Sequence, residues 1–419
     1  MNTVPAEQSD DAEQSASRAL TAHPPQESSS PTYSLWQLIT YFLKLGSLGF
    51  GGPVALVGYM HRDLVENRKW ISEADYKEGL ALSQLMPGPL AAQLSMYLGY
   101  VHYRVIGATL AGIVFVVPSF LMVVALGWAY SLYGGLSWMQ AVFYGVGASV
   151  IGIITHSSYK LTKKTIGKDW LLWLVYLTSA ACTIVTESEI VWLFLGSGLL
   201  VWLVRTRPKI KWRRNQAVSL LAMLSGGAVP GVPEADTQTL WQICLFFTKA
   251  GAFVFGSGLA IVPFLYGGVV KEYGWLNDQQ FLDAVAVAMI TPGPVVITVG
   301  FIGFLVGGFS GASVAALATF LPCYLFTVIP APYFKKYGRR PGIVAFVDGV
   351  TAAAIGAISG AVIVLGRRTI FEHGWNPEIP KVVLLLTTLA LLSSGKKIPE
   401  PVIVLGAAIV GLALFPFVR

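Results

Sequence analysis

Charge is what this chain has least of: of 419 residues only 12% are Asp, Glu, Lys or Arg, against 54% hydrophobic. That leaves too little polar surface to cover a soluble globular domain. Cysteine is also scarce. Cys182, Cys244 and Cys323 stand in apolar stretches, and no pairwise spacing suits a metal site or a redox motif, so they read as small core residues. The five histidines are scattered, none at ligand spacing from a carboxylate or a cysteine. A metalloenzyme or thiol enzyme is disfavoured, and no metal or other cofactor is expected. No nucleic-acid module is visible. Large apolar residues are nearly missing before Tyr33, so residues 1–33, rich in Ser, Gln, Pro, Ala and acids, are expected to be a disordered cytoplasmic tail. This stretch lacks the basic, apolar and cleavage regions of a signal peptide.

What the chain has in abundance is apolar runs, with a mean hydropathy of +0.64. Runs of roughly 20 residues are long enough for a bilayer core. They fall at 34–60, 79–103, 105–132, 138–156, 170–186, 188–204, 216–231, 239–269, 280–307, 309–333, 343–366, 379–394 and 400–418. The expectation is an all-α polytopic membrane protein with about thirteen transmembrane helices, those at 216 and 379 being the weakest. The net charge of +7 sits mostly in short loops, where it reports orientation. Lys160, Lys163, Lys164 and Lys168 mark one cytoplasmic loop, and Arg205 to Arg214 another two spans later. Lys335 to Arg340 and Lys396 with Lys397 mark two more. This places the N-terminus inside and the C-terminus outside. The loop 61–78, with Arg62, Arg68, Lys69 and Lys77, and the pair Arg367 and Arg368 then fall outside, against the rule.

Two stretches answer each other. Pro87, Gly88 and Pro89 recur as Pro292, Gly293 and Pro294, and 292 − 87 = 205. At that offset 34–90 aligns with 239–295 without a gap, and 16 of 57 positions are identical, Trp and Lys among them. The chain divides into the tail, an N-terminal transport repeat over 34–205, a basic loop and linking helix over 206–234, and a C-terminal repeat over 235–419. If 216–231 crosses, the repeats are inverted, as in many secondary transporters whose site lies at the repeat interface. Without that span they are parallel.

Proline removes a backbone donor and clashes with the preceding turn, so each break frees carbonyls on one side and starts a new helix on the other. The N–H groups of Leu90 to Ala92 and Val295 to Ile297 suit an anion. An ordinary proline kink is the competing reading. Phe50, Gly51, Gly52 and Pro53 answer Phe255, Gly256, Ser257 and Gly258; clustered glycines allow unwinding or simply close helix packing. Ser257 could hydrogen-bond an oxygen ligand, and Thr291, beside the second break, is counted among the expected site residues. Lys44 and Lys249 stand about ten residues into their spans, where two ammonium groups would make a positive midplane for a compact dianion. Pairing with carboxylates is the alternative. Glu78 and Asp283, again 205 apart, and Asp348 are candidates for a coupling proton; the first two also suit helix starts.

The residues 48–55, Leu-Gly-Phe-Gly-Gly-Pro-Val-Ala, then Gly58 and Tyr59, 67–70, Asn-Arg-Lys-Trp, and 82–89, Leu-Ser-Gln-Leu-Met-Pro-Gly-Pro, resemble the chromate ion transporter family in its long, two-half form. The second half is similar through Phe255-Gly256-Ser257-Gly258 and Thr291-Pro292-Gly293-Pro294-Val295. The likeness is clearest over roughly 34–120 and 239–330. It implies an inner-membrane secondary transporter that exports chromate and confers resistance, driven by membrane potential or protons, with a homodimer allowed. Ser257 stands where a third glycine is often found, which bears on substrate choice. Sulfate or another tetrahedral oxyanion is the nearest rival, a membrane-embedded chromate reductase a distant one, and a passive anion channel a third.

Overall fold

A computed structural model describes residues 33–50, 52–133, 137–187, 191–206, 237–254, 261–337, 340–371, 378–394 and 398–418. The tail before 33, the weak span at 216–231, and Gly51, Gly256, Ser257 and Gly258 lie outside the described residues. Contacts divide the chain into two units, one ending at Ser34 and the other beginning at Leu35. Among the described residues its regular structure is entirely helical. In chain order the helices are α1 (Leu35–Leu48), α2 (Gly52–Met60, prolonged as a π-helix over His61–Asn67), α3 (Glu73–Leu85), α4 (Leu90–Tyr133), α5 (Ser137–Thr165), α6 (Trp170–Thr186) and α7 (Val191–Thr206). The second half repeats the order with α8 (Thr237–Ala252), α9 (Ile261–Tyr266, prolonged over Gly267–Glu272), α10 (Asp278–Ile290) and α11 (Thr298–Val328). It continues with α12 (Ala331–Tyr337), α13 (Pro341–Ile370), α14 (Ile379–Ser393) and α15 (Glu400–Val418).

Four helical stretches are long and apolar enough to cross a membrane: Leu90–Tyr133, Ser137–Thr165, Val295–Phe334 and Pro341–Ile370. Large apolar side chains are exposed along the surface, among them Leu317, Leu321, Trp192 and Val185. In water that surface would be costly; facing lipid it is matched.

Thirteen straight spans do not stand, because four of the expected ones fold back on themselves. In 34–60 the chain turns at Gly49 and Phe50 and returns. The Tyr41 hydroxyl of α1 donates to Asp63 at 3.5 Å, and the Arg68 guanidinium lies 5.1 Å from the Tyr41 ring. The counterpart within 239–269 is held by aromatic packing, with the Phe246 ring of α8 5.4 Å from Phe264 and 5.9 Å from Trp275. The stretch 79–103 turns at Pro87 to Pro89, so that the Tyr97 ring covers Gly79 where a Cβ would overlap it. In 280–307 the turn is at Pro292 to Pro294, and α10 packs along the start of α11. The α3 and α10 starts are fixed locally: Ser72 caps α3 through the Asp75 N–H, and Asn277 with Gln280 makes a capping box on α10.

The long helices α4 and α11 are themselves doubled. At Arg104 (φ 52°, ψ −141°) α4 reverses, bringing Gly99 against Gly107 backbone to backbone and Met96 over Gly112. At Gly308 (φ 62°, ψ −151°) α11 reverses the same way, bringing Gly303 against Gly311. These pairs correspond, since 303 − 99 = 204 and 311 − 107 = 204. Only glycine permits such approach, since a side chain would meet the facing carbonyl.

The halves exchange their outer helices. From the first half α6 and α7 pack on α13 of the second; from the second α14 and α15 pack on α5 of the first. The two equivalent helices α5 and α13 touch each other and run antiparallel: the Ser158 hydroxyl meets that of Ser359 at 2.7 Å, while Ile151 faces Gly366.

Candidate substrate site

Each Pro-Gly-Pro break begins with an extended residue, Met86 (ψ 147°) or Thr291 (ψ 142°), that ends the preceding helix. The glycine then takes a positive φ, 142° at Gly88 and 95° at Gly293, which a side chain would strain. The glycine N–H groups are then used across the halves. Gly88 donates to the Val254 carbonyl at 2.5 Å, and Gly293 donates to the Gly49 carbonyl at 3.1 Å. The acceptors correspond as the donors do, because 254 − 49 = 205 and 293 − 88 = 205. Each break is therefore bonded to the chain just after the other half's first helix, α8 or α1.

The freed carbonyls find side chains. The buried Ser119 hydroxyl of α4 donates to the Pro292 carbonyl at 2.7 Å and lies 3.4 Å from the Gly46 carbonyl. At the first break the buried Gln93 amide does the same work, donating to the Pro87 carbonyl at 2.7 Å, and its own Oε1 is buried without a partner. Cys323, the counterpart of Ser119 at 323 − 119 = 204, packs where a Cβ on Gly88 would be. The helices restarting at Leu90 and Val295 begin at these turns. Gln93 N–H is taken by the Pro89 carbonyl and Ile297 N–H by the Pro294 carbonyl, while the N–H groups just before them have no intrahelical acceptor. Two helix N-termini with their positive dipole ends thus lie where backbones of both halves converge.

Beside the second break is a small cleft lined by Gly49 and Phe50 of the first half, Thr291 and Gly293 of the second, and Glu400 at the start of α15. Of the residues expected at the site from sequence, Phe50, Thr291 and Gly293 line this cleft, Pro292 and Pro294 belong to the turn beside it, and Pro87, Gly88 and Pro89 form the equivalent turn of the first half. Gly52 and Pro53 begin α2 just beyond the first turn. Lys44 and Lys249 stand on the exposed faces of α1 and α8, five residues before Gly49 and Val254. Among the described residues neither makes an ion pair.

The three candidate carboxylates are in unlike settings. Asp283 is 3% exposed in α10, accepting from Tyr130 at 2.7 Å and from Gln279 at 2.9 Å. Glu78 lies in the second turn of α3, half-buried. Asp348 is tied to Arg205 at 2.5 Å, and Arg205 also holds Asp169, the N-cap of α6, at 2.6 Å. Ser119, Gln93 and Glu400 escaped sequence reading. The signal for Ser119 is the repeat itself, continued past Pro89 with a one-residue shift.

The chromate transporter family model matches residues 36–202 and 241–412, one region per half. The chain belongs to the chromate transporter family. Among the relatives of this transporter, a "Chromate transport protein" of Cupriavidus metallidurans is 66% identical over 93% of this chain and 96% of its own length. A "Probable chromate transport protein" of Synechococcus elongatus is 66% identical over 91% and 96%. A "Chromate transport protein" of Pseudomonas aeruginosa is 31% identical over 93% and 95%. No solved structure matches.

Proposed function

We propose that this chain is a secondary transporter that moves chromate out of the cell by alternating access, with the substrate held at the converging hairpin turns. The observation that carries the reading is the reciprocal pair of bonds from Gly88 to Val254 and from Gly293 to Gly49. Irregular backbone at membrane depth is tolerated only against protein or a water-filled cavity, and broken helices at a repeat interface are a common substrate site of transporters. At the cleft the Thr291 hydroxyl is given to the Ala288 carbonyl at 3.2 Å and the Gly293 N–H to Gly49, so the donor offered to an oxyanion oxygen is the N–H of Val295, which lines the cleft where the helix restarts. Lys44 and Lys249 add positive charge, and Asp283, with Glu78 as its counterpart, is positioned to carry a coupling proton. Asp348 is already committed to Arg205. The high identity to proteins named for chromate transport favours chromate over sulfate.

The antiparallel α5 and α13 support inverted repeats: a two-fold axis relating them is perpendicular to both, and lies in the membrane plane if they span it. Folded-back hairpins also remove a conflict in the charges. With 34–60 and 79–103 entering and leaving on one side, Arg62, Arg68, Lys69 and Lys77 join Lys160 to Lys168 on a single basic, cytoplasmic face of the inner membrane. Arg368 remains opposite, neutralised by Glu187 and Asp278.

The purified protein in liposomes, given labelled chromate without reductant, tests the reading. Accumulation of Cr(VI) against its gradient under an imposed potential or proton gradient, inhibited more by chromate than by equal sulfate, is expected. Appearance of Cr(III) points to a reductase, and movement only down the gradient to a channel; either outcome contradicts the proposal.

A further inference from the structure

The molecule is not equally closed on its two faces. In the second half α10 packs along α5 and α15, and α9 along α13. The equivalent packing in the first half, α3 on α13 and α7 and α2 on α5, is not matched among the described residues. On the closed face four charges from four elements are joined. Glu187, after α6, accepts from Lys271 at 2.7 Å and from Arg368 at 2.5 Å, and Arg368 also reaches Asp278 at 3.1 Å. Tyr266 donates to Asp278 at 2.6 Å, and its ring lies under both cations.

Asp278 and Arg368 have counterparts on the other face at Glu73 and Lys164, since 278 − 205 = 73 and 368 − 204 = 164. The signs are kept, yet the pair is not made. Glu73 bonds to His61 at 2.9 Å and Lys77 at 3.1 Å within its own hairpin region, and Lys164 is exposed without an ion pair among the described residues. Asp278 and Glu73 both open the helix leading to a Pro-Gly-Pro turn, whereas Arg368 and Lys164 both end the equivalent helices α13 and α5.

We infer that Asp278–Arg368 and Glu73–Lys164 are alternating latches: the first, with Glu187 and Lys271, shuts the cleft from the Glu187 face here, and the second forms when the first opens. This rests on the transporter reading above. Exchange of the two pairs converts the observed state into one open to the Glu187 face, because the repeats are equivalent and only one conformation of each half is used at a time. A pair of partly exposed charges suits the task, being worth little enough to break in each cycle.

Two measurements on the full-length protein test it. The first is transport by Lys164→Glu, Glu73→Lys and the double variant, normalised to protein in the membrane. Each single change is expected to slow chromate transport by about tenfold, and the double to recover most of it, the mark of a direct coupling. A double variant no better than either single change overturns the second latch, since the two residues do not touch in this structure. The second measurement is labelling of Thr291→Cys, with Cys182, Cys244 and Cys323 replaced by serine, using a membrane-impermeant maleimide from each face. Labelling is expected only from the Arg205 face, with Arg368→Glu admitting reagent from the Glu187 face. An unchanged pattern in Arg368→Glu overturns the first latch. Failure of the wild type to move chromate contradicts the transport reading instead, and leaves the labelling test of the latch intact.

Discussion

Gly88 and Gly293 concentrate what the site demands of single residues: a positive φ, a backbone donor aimed at the other half, and no Cβ. Gly293→Ala would place a methyl on the Ser119 hydroxyl that holds the Pro292 carbonyl. With strain of about 1–3 kcal/mol for the backbone alone, it is expected to abolish most chromate transport and lower the melting temperature in detergent. Ser119→Ala leaves the Pro292 carbonyl unpaired at a cost of about 1–3 kcal/mol, and the milder loss of transport it predicts separates the hydrogen bond from the glycine. Lys44→Ala and Lys249→Ala are each expected to reduce transport more than Lys163→Ala. Near-normal transport with both removed rules out the cationic contribution. A further residue has a definite pH signature. Lys271, with Arg368 and against the effect of burial, holds the Glu187 carboxyl below its usual range. A carboxylate depressed on folding stabilises above its unfolded pKa and loses that contribution as pH falls through its folded one. The melting-temperature gap between wild type and Glu187→Gln should therefore be full near neutral pH and close in acid, below about pH 4. Duplication made the prolines and glycines legible in the sequence. Ser119 and Gln93 were not, because serine and glutamine in apolar helices carry no pattern until folding brings them to a freed carbonyl.

At the scale of elements, the helical hairpins are the main departure from sequence expectation. Apolar runs of 25 residues read as crossings whether they run straight or fold back, since both present apolar surface to lipid and to neighbours. The reversals at Arg104 and Gly308 fall between expected spans, whereas the turns at Gly49 and at the two Pro-Gly-Pro breaks fall inside expected spans, where a break within one crossing helix and a return of the chain read alike. Arg104 sits at the first turn with φ 52°, while its counterpart Gly308 takes the equivalent conformation with φ 62°. Arg104→Gly is therefore expected to relieve strain of about 1–3 kcal/mol, offset in part by loss of the Arg104 stack on Tyr100 at 5.7 Å. A higher melting temperature with transport retained is the expected result. A lower one means that the Arg104 side chain, not the backbone, governs the turn.

The whole molecule follows from one duplication. Reciprocal bonds at the turns, exchanged outer helices and antiparallel α5 and α13 obey the same correspondence between halves. That correspondence was visible in 34–90 and 239–295, but which half supports which was not, because exchange of helices between halves leaves no trace in local sequence. The charges were legible in number and not in meaning: Arg367 and Arg368 broke the orientation rule until Arg368 was seen bonded to Glu187 and Asp278. The most direct test of the account is labelled chromate uptake into everted membrane vesicles, energised and not, with wild type and Gly293→Ala compared. The account predicts energy-dependent uptake by the wild type, reduced by excess unlabelled chromate more than by sulfate, and loss of that uptake in Gly293→Ala at equal protein. Uptake that ignores energisation, or that survives Gly293→Ala unchanged, would contradict transport through the converging turns.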